Sequence, residues 1–321
     1  MPRIIKLLSI FALFILSILF INYILFYFNI SDVNNINFFS NSISSHLRVY
    51  FTPLLYAVSL AIMFMIELII LGWSNSSLKS ILSLSKSTCR VDVFYIWIKL
   101  SGISNVLFNL IFFGFGFYFL KEIESISIFK INNIFFQFIY AILLISFIEY
   151  VYHRILHSNY FWELHKIHHA AEEMNIFTAS REHPFVVSIS ILLISVPVGI
   201  FGVNPFIAIL CKIIMGGYNL MIHSKVYILP NFFKNFLITT KDHHIHHSTM
   251  PEHFNKNFGN LFNIWDKIFG TYYDSENIKN IKIGINDKNY NNNNSLKQIY
   301  MSIYLWFKNF KNLKNSINTS N

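Results

Sequence analysis

Nine of the chain's 13 histidines sit in three short boxes, His153-RIL-His157, His165-KI-His168-His169 and His243-His244-I-His246-His247. On a helix, positions i, i+3 and i+4 share one face. Each box is therefore expected to aim two or three imidazoles at one point. His244 falls off that face, which leaves eight ligands: His153, His157, His165, His168, His169, His243, His246 and His247. Neutral imidazole suits iron, zinc and copper, whereas magnesium and calcium prefer oxygen. Eight ligands exceed the four of a tetrahedral ion and match a pair of ions. Glu149, one turn before His153, and Asp242 are candidate acceptors for the N–H groups of ligand imidazoles. HExxH is absent, which weakens a zinc-protease reading. Two adjacent irons would make oxygen chemistry accessible, with a ligand set unlike the Glu-rich di-iron sites of soluble bundles.

The elements that must carry these boxes are membrane helices. The chain is 54% hydrophobic and 13% charged, with mean hydropathy +0.46, the composition of a membrane protein. Apolar runs predict spans over Ile4–Phe28, Val49–Trp73, Ser101–Leu120 and Ile134–Tyr152. The first is too long for a signal-peptide core and has no small-residue cleavage site, so it reads as an anchor. Phe185–Phe201 and Pro205–Ile222 predict a hairpin turning at Gly202 to Asn204, with a kink or a re-entrant stretch at Pro197. The fold class is thus all-α and multi-pass, about four transmembrane helices plus a helical hairpin, with a histidine-rich cap. Three regions are expected: 1–130 with three spans, 131–273 with the boxes, and 274–321 as a tail. Leu296–Leu313 predicts an amphipathic helix at the interface, and Asn315–Asn321 a disordered end.

Charge orients this arrangement. The formal net charge is +9, but the basic residues alternate with the spans as the positive-inside rule expects, not as a nucleic-acid surface would. Arg3, Lys6, Lys79, Lys86, Arg90 and Lys99 place the N-terminus, the 73–100 loop, 153–184 and everything after 222 on the cytosolic side. Because the hairpin returns the chain to its starting face, all three boxes meet there. His153 follows its span directly, so the metals are expected within roughly 10 Å of the hydrocarbon edge. Cys89 and Cys211 are too few for a disulfide framework or a CxxC site. The asparagine run Asn291–Asn294 carries no function.

HRILH, HKIHH and HHIHH, with FWELHKIHHAAEEMN, TASREHP and HHIHHSTMPEHFNKNFGNLFNIWDKIFGTYY, resemble the fatty acid hydroxylase and sterol desaturase superfamily of membrane di-iron oxygenases. The resemblance covers about residues 133–273. The NFG…WDKIFGTY ending is similar to the bacterial-type sterol desaturases and the alkylglycerol monooxygenase group. It implies two iron ions, oxygen-dependent hydroxylation or desaturation of a sterol, fatty acyl or ether lipid, and His183 and His223 as further site histidines. At His223-Ser224-Lys225 the chain departs from the family, which commonly has Asn two residues after that histidine. No GxGxxG, flavin motif, CxxCH or ferredoxin cysteine pattern is present. The resemblance therefore implies electrons from a separate donor, such as cytochrome b5, a ferredoxin or a reductase. The host membrane would be the endoplasmic reticulum in a eukaryote or the inner membrane in a bacterium.

Three other classes compete. A zinc-dependent lipid hydrolase uses the same imidazoles without oxygen. A metal transporter needs ionisable residues near the bilayer midplane, whereas these lie at span ends. A b-type haem carrier needs only two axial histidines per haem. Other residues read as structural: His46 and His253 at the surface, Arg181 in an ion pair, Asn257 and Gly259 in a turn of unusual backbone angles, Trp265 and Asp266 packing and capping a helix start.

Overall fold

The computed structural model describes residues 45–83, 87–101, 103–104, 107, 128, 131–227, 231–278, 280–287, 290 and 294–319. Ile4–Phe28 and most of Ser101–Leu120 lie outside the described residues. Within them the chain is helical and has no strand, only two isolated bridges, Leu237 with Phe262 and Ser248 with Ile283.

Helix α1 (Ser45–Asn75) is kinked at Gly72 and followed by α2 (Ser77–Ser83) and α3 (Ser87–Leu100). Helix α4 (Ile134–Leu156) begins where the Asn133 side chain accepts the N–H groups of Phe135 and Phe136, a cap worth about 1 kcal/mol. Tyr56–Asn75 and Ile134–Leu156 are long and apolar enough to cross a membrane. They keep apolar side chains outward, Ile69 at 78% and Ile134 at 69% exposure. That pattern costs free energy in water and none in lipid.

Helix α5 (Trp162–His169) follows a short turn, and a 3-10 turn over Ile176–Ser180 precedes the hairpin. Its arms are α6 (Pro184–Ile200) and α7 (Pro205–Ile222), each opening with proline in the first turn, where no N–H is missed. Helix α6 continues through Pro197. Gly202, at φ 66, makes the reversal between the arms, a conformation that L side chains resist. Helix α7 packs along α1 and α4, and α4 along α6. Ala141, Ile142 and Ile145 of α4 meet Ile207, Cys211 and Met215 of α7 in one core cluster.

After the hairpin come α8 (Asn231–Lys234), α9 (Thr240–His246), a 3-10 turn over Pro251–His253, α10 (Ile264–Ile268) and α11 (Ser295–Thr319). Residues 315–319, expected to be disordered, continue α11. Its inner face packs on α5. Cys89 and Cys211 are buried and form no disulfide.

Candidate metal centre

Each box rides on a helix end. His153 lies in the last turn of α4, and His157 is its C-cap. His165, His168 and His169 fill α5. His243 and His246 lie in α9, whose start is fixed by a reciprocal capping box between Thr239 and Asp242, and His247 is its C-cap. His223 is the C-cap of α7.

Nine imidazoles converge as two groups. His153, His157, His165, His169 and His246 form one, and His168, His223, His243 and His247 the other, with the ligating atoms of each group within 4.8 Å of one another. The boxes do not each aim at one point, as their spacing predicts. The second and third divide. Their i, i+4 pairs, His165/His169 and His243/His247, stay together, while His168 and His246 cross to the opposite group. On an α-helix a step of three residues and a step of four fall on opposite sides of the starting direction, so two centres flanking one helix separate them.

His183 belongs to neither group. Its Nδ1 accepts the N–H of Phe185 at 3.1 Å and caps α6. His244 also stands outside, with Nδ1 2.9 Å from the Tyr227 hydroxyl. His253, expected at the surface, is buried, its ring 4.8 Å from that of Tyr273.

Backbone carbonyls, not carboxylates, orient several imidazoles. Nδ1–H of His153 donates to Phe258 O (2.9 Å), that of His246 to Lys256 O (2.7 Å), and that of His223 to Asn219 O (2.7 Å). Glu149 was the expected acceptor. It pairs instead with Lys212 and accepts from Asn260 at 3.0 Å. Asp242, the other expected acceptor, takes the Thr239 N–H at 2.9 Å through Oδ2 and so serves its own helix cap. Main-chain acceptors of this kind leave no side-chain signature, and sequence reasoning missed them. The only trace is the turn itself. Asn257, between the two accepting carbonyls, has φ 55, and its buried side chain bonds Asp242 O and Tyr273 O. Gly259 has no positive φ. It is required for space, because a Cβ there would lie 2.5 Å from Phe262 O. Asp266, inside α10, accepts the N–H groups of Phe258 and Gly259, both at 2.8 Å, and so holds this turn instead of capping a helix.

The electrostatics keep the imidazoles neutral. Burial pushes the pKa of His165, His168, His169, His243, His246 and His247 well below the ordinary imidazole value, and neighbouring imidazoles lower it further. His223 is pushed down to about 3, mainly by burial. Neutral imidazole is the form that binds metal. In the first group all five Nε2 atoms are buried without a hydrogen-bond partner. In the second, His223 Nε2 lies 3.0 Å from His243 Nε2 and 3.4 Å from His168 Nε2, and His243 Nε2 lies 3.2 Å from His247 Nε2. Since the hydrogen of His223 is on Nδ1, its Nε2 presents a bare lone pair to this cluster. Lone pairs that converge in a buried site without enough donors are costly, and a transition metal at each group would satisfy them. The all-imidazole donor set fits iron, zinc or copper and disfavours magnesium or calcium.

Arg181 is buried with Nη1 3.0 Å from Thr88 Oγ1 and 3.4 Å from Asp92 Oδ1, the ion pair expected of it. Asp92 also accepts from Asn175 at 2.7 Å and from Thr178 at 3.3 Å. This network ties α3 to the 3-10 turn that follows the second box.

Residues 138–271 match the fatty acid hydroxylase family. The chain is 28% identical over 170 residues to an alkylglycerol monooxygenase of Caenorhabditis elegans, covering 52% of this chain and 32% of that one. It is 30% identical over 145 residues to the Homo sapiens alkylglycerol monooxygenase, covering 43% and 31%. It is 24% identical over 154 residues to the ornithine lipid hydroxylase OlsE of Rhizobium tropici, covering 48% and 46%. The chain thus spans less than half the length of these curated relatives. No solved structure matches it. The segment that matches the fatty acid hydroxylase family contains both imidazole groups.

Proposed function

We propose that the protein is a membrane-bound di-iron oxygenase that hydroxylates a lipid at the cytosolic face of its membrane, taking electrons from a separate donor protein. The observation that carries this reading is the pair of imidazole groups, one with five buried Nε2 atoms that lack hydrogen-bond partners and the other with four Nε2 atoms that face one another. The named relatives, an alkylglycerol monooxygenase and an ornithine lipid hydroxylase, support hydroxylation ahead of desaturation and a polar-headed lipid ahead of a sterol. His153, His157, His165, His169 and His246 would hold one iron, and His168, His223, His243 and His247 the other.

The bound irons would supply dioxygen reduction and attack on an unactivated C–H bond. One oxygen atom ends in the lipid alcohol, and the other leaves as water with two electrons and two protons from the donor side. This chain's own residues orient and shield the centre. The carbonyls of Phe258 and Lys256 hold the hydrogens of His153 and His246 on Nδ1, so that both Nε2 lone pairs face inward. The Phe258 ring, 5.0 to 5.7 Å from the rings of His153, His157 and His246, excludes water from the first group. Trp162 stands 5.0 Å from His157 and 5.1 Å from His169 on another side. The groups lie at the end of α4, a helix apolar and long enough to cross a membrane, which supports entry of a lipid from the bilayer.

Comparative lipidomics tests the proposal, using cells with the intact chain and cells with a His168→Ala, His246→Ala double variant that removes one imidazole from each group. One lipid class is expected to lose an added oxygen in the variant, and the purified intact chain to carry iron. Bound zinc with oxygen-independent lipid cleavage would replace this reading with a hydrolase.

A further inference from the structure

Helix α11 lies beyond the segment that matches the family and has two dissimilar faces. Its inner face is committed. Ile299 and Leu305 pack with Tyr95, Ile167 and Tyr290, and Gln298 donates to Tyr290 O at 2.6 Å. Trp306 lies against Phe185 in the first turn of α6, at 5.4 Å, and against Phe161, at 6.4 Å. The same cluster holds Leu156, the last residue of α4. The helix therefore crosses the ends of two apolar helices while buttressing α5, which carries the second histidine box.

Among the described residues the outer face has no protein neighbour to explain it. Leu296, Tyr300, Tyr304, Phe307 and Phe310 are exposed, at 68, 66, 50, 61 and 55%. At 100° per residue they fall within one arc of about 120°. Lys297 and Lys308 are exposed along one flank of that arc and Lys311 lies within it. Ser295–Thr319 contains four lysines and no acidic residue. Aromatic side chains beside lysines, at the level where apolar helices end, have the composition of a helix lying in a bilayer interface. Lysines without acids favour anionic headgroups.

We infer that α11 is an interfacial clamp: its aromatic stripe docks on an anionic lipid surface while its inner face holds the second-box helix against the metal centre. The inference rests on the membrane reading but not on the oxygen chemistry.

The test uses the full chain in nanodiscs of neutral phosphatidylcholine or of phosphatidylcholine with phosphatidylglycerol. An environment-sensitive fluorophore is attached at Tyr304→Cys, with buried Cys89 and Cys211 left unlabelled. In anionic discs the probe should be quenched by nitroxide lipids at the headgroup boundary and protected several-fold from aqueous iodide. Neutral discs should give weaker quenching, and a Lys297→Gln, Lys308→Gln, Lys311→Gln variant should lose the difference. A probe open to iodide and untouched by nitroxide lipid overturns the inference. So does equal quenching in both disc types. Protection from iodide without lipid quenching, in discs holding two chains, assigns the face to a second copy instead. A chain that does not stay with the disc overturns the membrane reading itself. Neither iron content nor turnover enters the measurement, so the oxygenase reading stands or falls separately.

Discussion

The Nδ1–H of His153 reaches the backbone carbonyl of Phe258 at 2.9 Å, across 105 residues of sequence. This bond joins the end of α4 to the turn 256–259, and the next carbonyl but one, Lys256 O, serves His246 in the same way. The turn thus aligns two imidazoles of one group that arrive on different helices.

Gly259→Ala tests that turn. The added Cβ would meet Phe262 O at 2.5 Å and Asp266 Oδ2 at 2.8 Å, and overpacking of this kind costs about 1–3 kcal/mol. A lower thermal midpoint and reduced bound metal are expected, read by unfolding in detergent and by elemental analysis. An unchanged metal content would show that the turn does not control ligand alignment.

His246 and His244 sit two residues apart and should behave oppositely. His246 belongs to the first group, whereas His244 meets the Tyr227 hydroxyl. His246→Gln is expected to remove at least half of the metal per chain. His244→Gln should retain it, and equal losses would contradict the grouping.

Asp92 and Arg181 form a buried pair, at 0% and 2% exposure. Asp92→Ala leaves the guanidinium uncompensated, a change that costs about 3–5 kcal/mol. Adding Arg181→Met should recover much of that loss in a chemical-denaturation series. No recovery in the double variant would mean that Asn175 and Thr178, not the charge, are what Asp92 supports.

His183 supplies a pH dependence. Burial lowers its pKa to about 4, and its Nδ1 must stay unprotonated to accept the Phe185 N–H. Between the ordinary value near 6.5 and that lowered one, the unfolded chain binds a proton that the folded chain refuses. This stability is therefore present above pH 6.5 and is lost as pH falls toward 4, on the order of 3 kcal/mol in full. His183→Asn keeps a capping oxygen and should flatten the fall of the thermal midpoint between pH 6.5 and 5. An identical slope in the variant would exclude this histidine as the source.

The sequence made the ligands legible better than their partnership. Helical spacing marked the eight boxed imidazoles, and the apolar runs marked α1, α4 and the hairpin, because both signals are local. The division of the boxes is not local. It depends on α5 and α9 each lying between two centres, which no single segment records. His223 entered through family resemblance alone, and its place beside His243 follows from the α7 end reaching α9. Glu149 illustrates the opposite error: a carboxylate one turn from His153 looks like its partner until Lys212 and Asn260 are seen to occupy it. His253 looked superficial because nothing near it in sequence foretells Tyr273 folding over its ring.

The exchange of His168 and His246 between groups means that each centre is built from both α5 and α9. Turning either helix by one residue would spoil both centres at once, so neither can be tuned, lost or rebuilt in isolation. A metal bound in one group would thus order helices that also serve the other, and a metal titration of the purified chain is expected to be cooperative.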